Sequence, residues 1–187
     1  PLASMADLLA AFKADPGAVS WGGGSAGGTD HILVGMIAKA VGGDVSKINY
    51  VPFKGGGDAV ASIVGGHVTA GVSGLGEFAE QIKAGRMRAL AVSGPGAEQG
   101  IKSLKEQGVD VVLGNWRGIF AAPAITPAQR DALVKLVQAA TETPAWKETL
   151  TKMGWTPWFI SGDQFKAFLE EDTRRVTAIM ESLGLKK

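Results

Sequence analysis

Between residues 19 and 96 one pattern recurs: a short apolar run, a turn rich in glycine, then a segment of helical length. The apolar runs are Val19-Ser20-Trp21, Ile48 to Phe53, Val68 to Ser73 and Arg88 to Ser93. The turns that follow them are Gly22 to Gly28, Lys54 to Gly57, Gly74 to Gly76 and Gly94-Pro95-Gly96. Apolar helical stretches lie at Ile32 to Val41, Asp58 to Val64 and Glu77 to Lys83, and a capped one, Ser4 to Lys13, precedes the first strand. Alternation of this kind predicts an α/β fold with a mostly parallel sheet and helices on both faces. In such sheets ligands sit beyond the carboxyl ends of the strands. The 27 glycines among 187 residues are about twice the ordinary share of ~7%, and they cluster at those strand ends.

The longest glycine turn, Trp21 to His31, lies between a strand and an apolar helix. Glycine allows sharp turns and close approach of the backbone to a ligand. The first N–H groups of the helix lack intrahelical partners and carry the positive end of its dipole. The turn is therefore a candidate anion pocket, with Gly23, Gly24, Ser25, Ala26, Gly27, Gly28, Thr29 and His31 as candidate ligand residues. Ser25, Thr29 and His31 have a second reading as caps of the helix that follows. Phe53, Lys54 and Gly55 of the second turn, with Ser73 and Gly74 of the third, would shape the far wall. Lys54 suits either a carboxylate partner or plain solvation.

Composition removes several functions. The formal net charge is +1, so no basic field draws nucleic acid or an anionic membrane. The chain has no cysteine and only two histidines without ligand spacing, which argues against disulfides, thiolate chemistry and a metal site. Nothing in the sequence calls for a cofactor. No apolar run approaches the roughly 20 residues that span a bilayer, and the first residues lack a signal-peptide pattern.

Two enzyme-like motifs overlap the turn. Gly22-Gly23-Gly24-Ser25-Ala26-Gly27 fits the dinucleotide fingerprint, but the next strand ends Val51-Pro52-Phe53-Lys54 with no acid for a ribose. Gly23-Gly24-Ser25-Ala26-Gly27 fits a nucleophile elbow with Ser25 as the nucleophile. Its base would have to be His31 or His67, and His67 is expected at the opposite sheet edge.

After about residue 109 the pattern changes. Val109 to Leu113, Trp116 to Ala122 and Trp155 to Ile160 read as strand segments. Helices are expected from the Thr126-Pro127 cap to about Thr141, from Pro144 to Lys152, and from a capping box at Ser161 to Leu183. This tail supplies helices without enough strands for a sheet of its own.

Trp21-Gly22-Gly23 through Gly27-Gly28-Thr29-Asp30-His31, Asn49 to Gly57, Gly65-Gly66-His67-Val68, Ile82 to Val92 and Trp116 to Pro123 together resemble the Bug family of solute-binding proteins. These are the extracytoplasmic receptors of tripartite tricarboxylate transporters. The resemblance covers essentially the whole chain. It implies a type II-like periplasmic binding protein fold of two α/β domains, the chain being a C-terminal portion of it. Residues 1–115 would form a complete three-layer α/β/α second domain. Residues 116–187 would be a crossover strand and helices of the first, incomplete domain, with Leu113 to Ala122 as a hinge.

The implied function is non-enzymatic: capture of a small carboxylate in the periplasm and delivery to the transporter's membrane subunits. An upstream signal peptide is expected, and the uncovered inter-domain face offers a surface for dimerisation. Two positions depart from the family pattern. Trp21-Gly22-Gly23 stands where family loops commonly read tyrosine-glycine-serine, which removes a hydroxyl and shifts the burden to Ser25 and Thr29. Thr69 stands where an acid is common.

Overall fold

The computed structural model describes residues 2–185 and divides them into two compact units. The first runs to Asn115 and resumes at Arg175; the second is Trp116–Arg174.

The first unit opens with α1 (Met5–Ala14). Its Ser4 hydroxyl accepts the Asp7 N–H while the Asp7 carboxylate accepts the Ser4 N–H, a reciprocal cap that satisfies two donors. Three strands follow: β1 (Ser20–Gly23), β2 (Asn49–Pro52) and β3 (Ala70–Gly71). They pair in parallel in the order β2-β1-β3, with Trp21 opposite both Tyr50 and Ala70. The connections are α2 (Thr29–Ala40) between β1 and β2, and α3 (Gly56–Val64) between β2 and β3; α4 (Leu75–Lys83) follows β3. Each strand therefore runs into a helix over the same edge of the sheet.

Side chains alternate across a strand, and β1 shows the consequence. Trp21 packs edge-on against Phe12 of α1, in a core that Val34, Ile37 and Ala38 of α2 complete. Gly22 faces the other way, where a Cβ would lie 3.0 Å from both Val68 and Phe53. Gly71 of β3 faces Ile63 of α3 and Phe78 of α4. Helices thus cover both faces, giving the expected three layers. The end of the last helix belongs to this unit: Ile179 and Leu183 close on Gly35 of α2, where a Cβ would meet them at 3.0 and 3.1 Å. Glycine inside a helix costs about 1 kcal/mol relative to alanine, and here it admits a neighbouring helix. Arg175 donates to the Val112 carbonyl beside that contact.

Four expected strands do not form as such. Of Arg88 to Ser93 only Val92 bridges, in parallel, to Ser103. Val109 to Leu113 lies packed in the core and is tied to Ser93 by the Leu113 N–H at 2.9 Å. Trp116 to Ala122 and Trp155 to Ile160 join no ladder among the described residues. Apolar, β-branched sequence favours a strand, but a partner edge is what makes one: β1, flanked on both sides, forms from Ser20-Trp21-Gly22-Gly23.

The second unit holds α5 (Pro127–Glu142), α6 (Pro144–Met153) and the first part of α7 (Gly162–Ser182). Thr126 and Thr143 cap α5 and α6, each with proline in the first turn. Trp116, Trp158, Phe165 and Phe168 form an aromatic cluster, with the Trp116 indole donating to Asp172 at 3.1 Å. No helix is long and apolar enough to cross a membrane among the described residues.

Candidate functional site

The three parallel strands end at Gly23, Pro52 and Gly71, so the turns after them leave over one edge. The Phe53 N–H continues the ladder to the Gly23 carbonyl at 2.8 Å, and the Val72 N–H does the same to Gly22 at 2.8 Å. All three glycine turns are thereby fixed to the end of β1.

Within the first turn most polar groups already have partners. The Gly24 N–H donates to Asp30 Oδ2 at 2.8 Å, and the Gly24 carbonyl accepts the Tyr50 hydroxyl at 2.8 Å. The Gly27 N–H donates to His31 Nδ1 at 3.1 Å, with Gly27 at φ +78°, a conformation that glycine adopts freely. The Gly28 N–H closes a turn onto the Ser25 carbonyl at 2.9 Å. The His31 ring stacks on Tyr50, centroids 4.1 Å apart and planes 7° from parallel. Gly23 has no room for a side chain, since a Cβ would stand 2.5 Å from the Tyr50 hydroxyl and 2.9 Å from Asp30 Cβ.

Electrostatics follow from this packing. Burial raises the Asp30 carboxyl above the usual range, the Gly24 N–H partly offsets that, and the charge of Glu77 adds to it. Burial pushes the Tyr50 phenol far up, aided by Asp30. Burial lowers the His31 imidazole, which stays neutral and able to accept at Nδ1.

The expected donors therefore separate into two groups. The N–H groups of Gly24, Gly27 and Gly28 serve the turn itself. Ser25 and Ala26 stand exposed, and Thr29 is half-buried at the first position of α2. The first helical bond is from Ile32 to Gly28 at 3.0 Å, so the N–H groups of Thr29, Asp30 and His31 precede it. Gly28, the N-cap, supplies no side chain to satisfy them. Among the described residues neither the Ser25 nor the Thr29 hydroxyl has a side-chain or backbone partner at this turn.

The other two turns repeat this opening. Gly55 and Gly74 are the N-caps of α3 and α4, with no side-chain cap and open space at their Cβ positions. Phe53 is half-buried against Gly22, and Lys54 is exposed beside it. The Ser73 hydroxyl donates to the Glu77 carboxylate. Among the described residues no group of histidine and carboxylate side chains could hold a metal ion.

Asp30, Tyr50 and Glu77 belong to this site although the glycine pattern does not single them out. The available signal was register: Tyr50, the chain's one tyrosine, stands opposite Trp21 in the strand beside the turn. The nucleophile-elbow motif has its two candidate bases engaged or distant. His31 accepts from Gly27 and is stacked on Tyr50, while His67 lies next to Gly65, before β3, at the other edge.

The family model described as "Tripartite tricarboxylate transporter family receptor" matches residues 1–185. A Cupriavidus necator protein called "UPF0065 protein in gbd 5'region" is 27% identical over 190 residues, which are 100% of this chain and 57% of that protein. BugT of Bordetella pertussis is 27% identical over 189 residues, 99% of this chain and 57% of BugT. The chain thus spans 57% of the length of these relatives. A TctC solute binding protein from Polaromonas superposes with TM-score 0.80 at 24% identity, over 98% of this chain and 63% of that one. An R. palustris protein solved with adipate superposes with TM-score 0.79 at 21% identity, over 98% and 62%. MatC from Rhodopseudomonas palustris, solved with malate, reaches 0.65 at 15%, over 98% and 60%. These likenesses establish the fold, and the match along residues 1–185 establishes the lineage: the chain belongs to the tripartite tricarboxylate transporter receptor family.

Proposed function

We propose that this chain is the larger part of a periplasmic solute receptor that holds a small carboxylate at the edge where β1, β2 and β3 end. The ligand carboxylate accepts from the N–H groups of Ser25, Ala26 and Thr29 and from the hydroxyls of Ser25 and Thr29. Gly23, Gly24, Gly27, Gly28 and His31 shape that turn, while Phe53, Lys54, Gly55, Ser73 and Gly74 form the facing wall. The observation that carries this reading is the set of three helices that start at one edge behind glycine N-caps without a capping side chain. Each presents unpaired N–H groups and the positive end of a dipole, which suit an anion. Charge-assisted hydrogen bonds of this kind are roughly twice as strong as neutral ones, so a full counter-charge is not required.

The adipate and malate held by two proteins of the same fold support a carboxylate of that size. In the complete receptor, residues 116–174 belong to the other lobe, and the loaded form is read by the membrane subunits of the transporter.

Calorimetry of this chain with malate and adipate, and with NADP as a control, tests the reading. One of the two carboxylates binds, and Ser25→Ala with Thr29→Ala weakens it about tenfold or more, the worth of one charge-assisted hydrogen bond. Unchanged affinity in the double variant makes the site assignment wrong, and binding of NADP alone overturns the function.

A further inference from the structure

The ligand turn is held by a clamp that spans two strands and a helix. Tyr50 from β2 holds the Gly24 carbonyl at 2.8 Å, and Asp30 from α2 holds the N–H of the same residue at 2.8 Å. One residue is thus gripped at both of its backbone polar groups, by side chains from different elements. His31 completes the arrangement, accepting the Gly27 N–H while its ring lies flat on Tyr50. Ser25 and Ala26, the exposed pair, sit between the two gripped residues Gly24 and Gly27. Gly23 is bare because the Tyr50 hydroxyl and Asp30 occupy the space a Cβ would need. Gly24, Gly27 and Gly28 otherwise give this turn high conformational freedom, and a flexible turn forfeits affinity when it is ordered by a ligand.

We propose that Asp30 and Tyr50 are positioning residues for the anion site, which hold the Gly24–Gly27 turn in its binding geometry before a ligand arrives. The inference rests on the carboxylate reading above and adds the source of its preorganisation. Asp30 acts here as a hydrogen-bond acceptor; its charge works against an anionic ligand. Glu77 from α4 and Tyr50 from β2 are the titratable groups whose fields reach or feel that carboxyl, with His31 adjacent to it on α2. The two functions of Asp30 separate on substitution. Asparagine keeps an oxygen for the Gly24 N–H and removes the charge, whereas alanine removes both.

The test measures amide hydrogen exchange at Gly24 and affinity for malate and adipate in four variants of the 187-residue chain: D30A, D30N, Y50F and the S25A/T29A pair. D30A and Y50F are expected to accelerate exchange at Gly24 and to weaken binding about tenfold, as the loss of one buried hydrogen bond allows. D30N is expected to restore both to within about threefold of the parent chain, rescue that a general loss of stability would not give. If S25A/T29A weakens binding while D30A and Y50F do not, the clamp is refuted and the site stands. Unchanged Gly24 exchange in D30A and Y50F refutes the clamp whatever the ligand does. If S25A/T29A has no effect, or neither carboxylate binds the parent chain, the carboxylate reading itself fails and takes the clamp with it.

Discussion

Asp30 carries a pH signature of its own. Its folded-state carboxyl is raised, chiefly by burial and further by Glu77, so the folded chain binds that proton more tightly than the unfolded chain. Such a group adds stability below the unfolded value, near ~3.9, and loses it as pH rises through the raised folded value. Asp30→Asn removes the ionisation and keeps the acceptor for Gly24. The stability difference between D30N and the parent chain should therefore shift in favour of D30N as pH rises from about 3 to about 7. Urea midpoints of both chains across that range check it. A difference that stays constant with pH would mean that Asp30 titrates as in the unfolded chain. The residue was plain in the sequence as the acid after Thr29, but its role depends on Gly24, six positions earlier, and on the strand that brings Tyr50 alongside.

At the scale of elements, helix starts divide by location. α1, α5 and α6 begin with Ser4, Thr126 and Thr143, whose hydroxyls accept backbone N–H groups. α2, α3 and α4, which start at the strand ends, begin with Gly28, Gly55 and Gly74 and no capping side chain. Replacing glycine by a capping residue normally adds only a few tenths of a kcal/mol at such a position, with a further gain from a less flexible unfolded chain. Gly55 has an extended backbone and open space around it, so Gly55→Asp is accommodated. It should raise the melting temperature while weakening carboxylate binding, because the new carboxylate takes the N–H groups and the dipole end offered to the ligand. Thermal melts and calorimetry on the same preparation check both halves, and unaltered affinity would remove α3 from the site.

The same division explains what was legible in advance. Caps and helical apolar spacing are local, so Ser4 with Asp7 and Thr126 with Pro127 announced their helices. Arg88 to Ser93 and Trp116 to Ala122 had strand composition, but a ladder needs a second edge that no local pattern supplies.

At the scale of the whole chain, the buried side chains lie mostly in the unit that contains the sheet. α5 and α6 bury none of theirs, and Ile119, Leu136 and Trp158 stand 73%, 66% and 57% exposed. The three-layer sheet and the edge at which its glycine turns gather followed from the repeat of strand, turn and helix. Which N–H groups remain for a ligand did not, since that depends on side chains arriving from β2 and α2. The free donors of the β1–α2 turn are expected to receive a carboxylate. An amide-resolved NMR titration of this chain with malate and adipate reads those donors one by one. The Ser25, Ala26 and Thr29 amides should shift and gain protection while Gly24, already bonded to Asp30, moves least. Shifts confined to other parts of the chain, or none with either acid, would contradict it.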